Sequence, residues 1–405
     1  MPKTIAIVGA LDTKGDEILF VRDEIERYGK RALIIDIGIV GTIPFEPEIS
    51  RTEVAEAAGT TIEFLKEAND RGLAVKTMES GVALIVRRLH EAETFDGIIG
   101  LGGSAGTVIA TSAMRVLPIG IPKVMVSTVA SGDMTNYVGH KDIVIIPSIV
   151  DIAGINRISR TIFVNAVAAV IGMVEADVRE SDDNPLIAAS MFGNTTEAVD
   201  KARAIMGNQG YEVLVFHCTG AGGRAMESLI AEGHIEGVLD ITITEWADEL
   251  VGGVLTAGPS RLDAAGQRGI PQIIVPGCLD MVNFWAPDTV PDKFRNRKLY
   301  NWNPNITLMR TNIEENKHLG KIIAEKANSS RGPVSIFLPL RGLSILDSPG
   351  NKFWWPEANQ ALFDSIKTNV LKSISVIEMD FNINDSPFVE AVTSQLLLNL
   401  SGDIA

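Results

Sequence analysis

Asp12, Thr13 and Lys14 stand together in GALDTKGDE (9–17), and each is a residue type that phosphate chemistry uses. Lysine neutralises a phosphate as a point charge, a threonine hydroxyl hydrogen-bonds it, and Asp12 could take Mg²⁺ directly or through water. Helix capping is the structural alternative, with Asp12 or Thr13 closing a helix start and Asp16 and Glu17 complementing its dipole. Capping alone does not call for a lysine there. A second stretch, GLGGSAGT (100–107), ends an apolar run, so Gly102, Gly103, Ser104, Ala105, Gly106 and Thr107 offer a nest of N–H groups and two hydroxyls. It satisfies G-x-G-x-x-A, yet no Asp or Glu occurs between Asp96 and Asp133 to bind the ribose of a dinucleotide. Nor does a Walker lysine follow. What remains is an anion cradle or, alternatively, tight packing of helix on strand. A third stretch, VSTVASGD (126–133), brings Ser127, Thr128, Ser131 and Gly132 to the same sheet edge. Asp36, ending IIDIG, could accept a ribose hydroxyl or simply close a turn.

The glycine turn recurs as GAGGRA (220–225). His217 precedes it, Gly220, Gly222 and Gly223 form it, and Arg224 opens the next helix, where a positive charge opposes the dipole unless a bound anion offsets it. In TITEWADELVGG, Glu245, Asp248 and Glu249 share one helical face, so carboxylates could meet to hold a cation or move a proton, or else form a solvated acidic turn. Asp280, Arg310 and Arg341 each follow a strand-like run and complete a set suited to a small anionic substrate. His90 and His234 read as structural. C-x-x-C, H-E-x-x-H and G-x-S-x-G are absent, so zinc-hydrolase and serine-esterase readings have no support.

Parallel sheets would bring such loops together at one edge. Strand-like runs (TIAIVG, RALIIDIG, FDGIIGLGG, KVMVST) alternate with helical ones (Asp16–Tyr28, Gly81–Ala92), and the strands are continuously apolar, as when helices cover both faces. The pattern predicts an α/β fold of two Rossmann-like domains, each a mostly parallel sheet between helices. Loss of apolar periodicity at VRESDDNPL (178–186) sets their extents at 1–180 and 185–405. The second half repeats the rhythm, from LIAASMFG to ISVIEMD, and closes with an apolar helix, Pro387–Leu400, that could pack on either domain or on a second subunit. A chain of 405 residues exceeds what one core usually supports. With 46% hydrophobic and 21% charged residues, the composition is that of a globular enzyme. A net charge of −15 opposes binding to nucleic acid or anionic membranes. Two cysteines and a start straight into a strand fit a reducing, cytoplasmic setting.

Together with PSIVDIAGINRISR, TGAGGRAME, TEWADELVGGVLTAGPSRL, PGCLDMVNF and LMRTNIEEN, these loops make the chain resemble, over nearly its whole length, the Tm-type ATP-binding domain family. Its members are bacterial and archaeal, with the tomato mosaic virus resistance protein as plant member. The resemblance implies two Rossmann-like subdomains, ATP with Mg²⁺ in the first, and a homodimer. It favours Asp12, Thr13, Lys14, the Gly102–Thr107 loop and Ser127–Gly132 as nucleotide contacts. Ala10 stands where the family usually has Thr, and Trp302 where His is common before Asn-Pro. The leading expectation is a Mg·ATP-dependent enzyme acting on a small anionic metabolite held between the domains, with Lys14 and Arg224 neutralising charge and Glu245 or Asp248 as base or metal holder. A nucleotide sensor without turnover is the second. NAD(P) chemistry at GAGGRA, with Asp240 twenty residues beyond Gly220, is the third.

Overall fold

The computed structural model describes residues 2–177 and 184–402, so the segment expected to link the domains lies mostly outside the described residues. The chain divides into two compact units, Met1–Arg179 and Glu180–Ala405.

The first unit begins β1 (Thr4–Gly9), α1 (Leu11–Arg27), β2 (Arg31–Asp36), α2 (Arg51–Ala57), α3 (Ile62–Ala68) and α4 (Arg71–Glu91). It continues β3 (Gly97–Gly102), α5 (Ser104–Arg115), β4 (Lys123–Ser127), α6 (Thr135–Val138), β5 (Val144–Pro147) and α7 (Arg157–Glu175). Its sheet is parallel throughout, in the order β2-β1-β3-β4-β5. Successive residues of a strand point to opposite faces. Ile5 and Ile7 therefore join the core under α1 and α7, while Ala6 and Val8 join the one under α4 and α5. Both faces being covered, the strands can be apolar at every position.

The second unit begins β6 (Leu186–Met191), α8 (Thr196–Asn208), β7 (Glu212–His217), α9 (Ala221–Glu232), β8 (Gly237–Thr242), α10 (Glu245–Val251) and α11 (Ala264–Arg268). Then come β9 (Gln272–Gly277), β10 (Met281–Phe284), β11 (Leu299–Asn303), β12 (Ile306–Arg310) and α12 (Ile313–Asn328). It ends with β13 (Val334–Pro339), α13 (Pro356–Asn369), β14 (Ser375–Met379) and α14 (Ser386–Ser401). Six strands form a parallel sheet, β14-β13-β9-β8-β6-β7, and β10-β12-β11 a separate antiparallel one. ITLMRT thus belongs to the smaller sheet rather than to the parallel one. The terminal helix settles on the second unit, where Phe388, Val389, Val392 and Leu396 pack with Leu239 and Ile273. Both cysteines are buried free thiols.

Two features depart from the sequence pattern. By length and composition α7, with mean hydropathy 1.5, could cross a membrane, yet its Phe163, Ala166, Val167 and Val170 are buried in the core of the first unit. In α4, a Cβ on Gly81 would lie 1.9 Å from the Val54 carbonyl oxygen of α2. Replacing a mid-helix glycine by alanine ordinarily gains about 1 kcal/mol. Here Gly81→Ala is expected to lose about 1–3 kcal/mol, because backbone must move to admit the methyl. Urea unfolding of the full chain checks the sign.

Candidate functional site

A cavity of about 650 Å³ opens at the carboxyl ends of β1, β2 and β3. Chain order sets its position: β2 and β3 leave β1 on opposite sides, so the loops after β1 and β3 diverge and leave a crevice between them. Asp12, Thr13 and Lys14 line one side, and Gly102, Gly103, Ser104, Ala105 and Gly106 another. Ile37–Val40, after β2, adds an apolar wall. The corner between α3 and α4 supplies Lys66, Asn69, Asp70 and Arg71. That corner escaped the sequence reading, which began its helix at Gly81.

The β3–α5 turn has the geometry of an anion cradle. Gly103 is the N-cap of α5, no side chain caps this 12-residue helix, and the first helical bond runs from Thr107 N–H to the Gly103 carbonyl (2.8 Å). The N–H groups of Ser104, Ala105 and Gly106 are therefore those without an intrahelical partner, and all three residues line the cavity. Gly102 is there for packing, since a Cβ would stand 2.7 Å from Gly106 Cα. Thr107 and Ser127 act behind the cradle rather than in it. The Thr107 hydroxyl donates to the Gly103 carbonyl (2.8 Å) and lies 2.7 Å from Ser127 Oγ, both residues being buried. Thr128 adjoins the turn, its N–H bonded to the Gly102 carbonyl (3.2 Å). Ser131 and Gly132 are exposed and do not line the cavity.

Two aspartates are turned inward, contrary to expectation. Asp36 is fully buried, accepting from Leu11 N–H (2.9 Å) and Gly38 N–H (2.8 Å) on one oxygen and from Arg51 Nε (2.7 Å) on the other. No oxygen is left for a ribose. Asp12 borders the cavity, but its Oδ2 accepts the N–H groups of Ile39 (2.8 Å), Val40 (3.0 Å) and Gly41 (3.3 Å). Burial pushes its carboxyl up, and those three bonds with Arg51 at 3.8 Å outweigh this and hold it below the ordinary value. Asp12 thus pins the apolar wall through one oxygen, Oδ2, held as an anion at the cavity's edge. Lys14 interrupts the helical geometry of α1 (φ −133°, ψ 22°) and donates its ammonium to the Ile152 carbonyl.

The second glycine turn already holds an anion, and it is the chain's own. Glu245 Oε1 accepts the N–H groups of Gly220 (2.8 Å) and Gly223 (3.2 Å), while Oε2 accepts from Arg261 Nε (2.9 Å). A Cβ on Gly223 would fall 2.3 Å from Glu245 Oε2, and one on Gly222 would fall 1.9 Å from the His217 carbonyl. Arg261, which sequence reasoning passed over, also pairs with Glu227 (3.0 Å) and Asp240. Asp240 further accepts from Gln272 (2.7 Å), so the dinucleotide reading loses its acid. Glu245 and Asp248 do not meet in a pocket. Asp248 turns the other way, accepting from Asn283 N–H (2.6 Å) and Nδ2 (2.8 Å), and burial raises its carboxyl to about 7 against those bonds.

The substrate set divides similarly. Arg310 is buried, donating to the Phe353 carbonyl (2.7 Å) and Asn359 (2.7 Å) and pairing with Asp347 (3.3 Å). Arg341 is exposed in an ion pair with Asp380 (2.9 Å). Besides Arg341, His217 and Arg224 of the second set are exposed. His217 packs at a tilt against Phe192 (centroids 5.4 Å apart, planes at 42°), and burial lowers its pKa against the nearby Glu245 carboxylate. Arg224 donates to the Thr256 carbonyl (2.9 Å). Among the described residues, no group of three or more His, Cys, Asp or Glu could hold a metal.

Asp280 is fully buried, with Ser344 Oγ donating to one oxygen (2.9 Å) and no partner on the other. Burial, then the Asp347 charge, push its carboxyl up to about 7, against the pull of Arg310. Between the ordinary value of 3.8 and 7 the folded chain holds a proton that the unfolded chain has released, so this group's contribution to stability falls as pH rises across that window. Asp280→Asn copies the neutral form. Its stability advantage over the parent should grow by about 1 kcal/mol per pH unit from pH 5 to 7 and level off above. Urea midpoints of both proteins across that range would show it.

Residues 3–179 match the family model described as Uncharacterised protein family (UPF0261) N-terminal domain, and residues 184–400 match that of its C-terminal domain. A UPF0261 protein of Clostridium tetani is 52% identical over 98% of this chain and 99% of its own. The ToMV resistance protein Tm-1(GCR237) of Solanum lycopersicum is 38% identical over 96% of this chain and 55% of its own. Among solved structures, a UDP-N-acetylglucosamine 2-epimerase from Rickettsia bellii aligns over 100% of this chain and 96% of its own, at 11% identity and a TM-score of 0.24, too low to support any argument.

Proposed function

Because the chain belongs to the uncharacterised protein family UPF0261, whose description names no reaction, we propose from the geometry that its first unit binds ATP with Mg²⁺ in the cavity beside α5. The observation that carries the reading is the uncapped α5 N-terminus opening into a 650 Å³ space whose rim includes Lys14, Lys66 and Arg71. Backbone donors and the helix dipole favour phosphate at that end. Ile39, Val40, Leu65 and Val75 leave an apolar slot for a base. Mg²⁺ would enter on the triphosphate, with Asp12 Oδ1, the oxygen that the backbone N–H groups leave free, as the protein's candidate ligand. In an enzyme acting on a small anionic metabolite, His217 and Arg224, beside the second glycine turn, would be the candidates of the second unit that face solvent near each other in the chain. A nucleotide sensor is favoured by a specific observation: Glu245 and Asp248, the acids offered as base or metal holder, and Asp280 of the substrate set are all committed inside the fold.

Thermal unfolding with ATP, ADP, NAD or NADP, each with and without Mg²⁺, tests the reading. ATP at a hundred times its dissociation constant should add about 2.7 kcal/mol, a rise of roughly 5–10 °C for a unit of this size. Titration calorimetry should count one nucleotide per chain, the second turn being filled by Glu245. Stabilisation by NAD alone would overturn the proposal. Phosphate release then separates enzyme from sensor.

A further inference from the structure

Lys14 lines the cavity, yet its ammonium is bonded to the carbonyl of Ile152, a fully buried residue that does not line it. Ile152 belongs to the segment 148–156, which joins β5 to α7. The same turn of α1 grips that segment a second time, where Glu17 Oε1 accepts the Gly154 N–H (2.5 Å). At its ends the segment is tied to its neighbours, Ser148 N–H bonding the Ser127 carbonyl of β4 (3.0 Å) and Ser159 Oγ of α7 the Gly154 carbonyl (3.4 Å). Between them its bonds are internal: Ser148 donates to the Val150 carbonyl (2.6 Å), Val150 N–H to the Ser148 carbonyl (2.7 Å), and Asp151 accepts the N–H of Ile152 (2.8 Å). Ile149 is 77% exposed with φ +63°, a conformation that a β-branched residue rarely adopts.

We propose that Lys14 is a latch: a phosphate in the cradle draws its ammonium off the Ile152 carbonyl and loosens segment 148–156, so that nucleotide occupancy is reported at that surface. The inference rests on the nucleotide reading above. The ammonium already makes a charge-assisted bond to the carbonyl, but a phosphate adds the Coulomb attraction of a full opposite charge, so a triphosphate out-competes Ile152 for it. Lysine suits the role because its flexible stem lets one charge serve two positions. Loss of one of the two grips from α1 lowers the local opening free energy of the segment's middle, whose other bonds are internal to it.

Hydrogen exchange of the full chain, with and without MgATP, reads the segment directly, and calorimetry on the same preparation reports binding. Peptides covering 150–156 should exchange about tenfold faster with MgATP, as expected when a bond to a charged group is lost. Lys14→Met should show the same fast exchange without nucleotide, and Lys14→Arg, which keeps a donor for Ile152, should not. A melting curve for each variant shows that it is folded. If ATP binds and the segment exchanges no faster, the latch is wrong while the site stands. If no ATP binds, both fall. If folded Lys14→Met exchanges like the unliganded parent, the grip is not what holds the segment.

Discussion

Replacing Arg261 by methionine should cost the second unit about 3–5 kcal/mol, a large part of the 5–15 kcal/mol by which domains are typically stable. Its guanidinium is 1% exposed and meets Glu245 (2.9 Å), Glu227 (3.0 Å) and Asp240 on three of its nitrogens. Methionine fills the volume and removes the charge, which leaves three desolvated carboxylates facing one another. Burial already raises the Glu227 carboxyl with Arg261 in place. Without the arginine the Glu227 carboxyl loses the charge that holds it down and is pushed further up, so it binds a proton that the unfolded chain has released, and the deficit should shrink as pH falls into the acid range. Loss of Glu245's position also releases the Gly220 and Gly223 N–H groups. Arg224→Met, an exposed change in the same turn, should stay within about 0.5 kcal/mol. Urea unfolding of the full chain compares the two. Equal losses would mean that the buried cluster contributes nothing.

The strands were legible because burial on both faces forces them to be apolar, and β1, β3, β6 and β9 stand out against polar connections. The glycine turns were legible for a related reason. Gly102 and Gly222 sit where any Cβ would strike backbone, so the residue type itself carries the geometry. What each turn holds was not legible. GLGGSA and GAGGRA look alike, and the difference lies in Glu245, which reaches back over twenty residues to fill the second. Buried acids find partners 15 to 64 residues away: Asp36 with Arg51, Asp240 and Glu245 with Arg261, Asp280 with Ser344. No local pattern announces the partner, so an acid after a strand reads the same whether it faces ligand or arginine. The α3–α4 corner was missed because the turn itself, Lys66 to Arg71, with cavity-lining Lys66, Asn69, Asp70 and Arg71, is exposed and follows no apolar period. The hairpin of β11 and β12 was half seen, since β11 is largely exposed and lacks a buried face to mark it.

Gly103→Asp should abolish nucleotide binding while leaving the fold as stable as before. Gly103 is the N-cap of α5 with φ −77° and ψ −160°, a conformation open to any L-residue, and a Cβ there would meet only Thr128 Oγ1, at 3.7 Å. Aspartate is among the best N-cap residues because its carboxylate accepts N–H groups of the first turn. Relative to glycine the gain is a few tenths of a kcal/mol, so melting should be unchanged or slightly higher. The same carboxylate then occupies the donors that a phosphate needs and adds a negative charge beside it. Losing two charge-assisted hydrogen bonds at about 1.5–3 kcal/mol each weakens ATP binding by at least about a hundredfold. Gly103→Ala separates bulk from charge: it lacks the carboxylate and should lose less than about tenfold. The aspartate variant would make the first turn what the second already is, a glycine cradle filled by its own chain, as Glu245 fills the turn at Gly220 and Gly223. Calorimetric titration of the three proteins with MgATP decides the matter. If Gly103→Asp binds like the parent, the phosphates lie elsewhere in the cavity, and the helix that was chosen for its open donors is not the one that receives them.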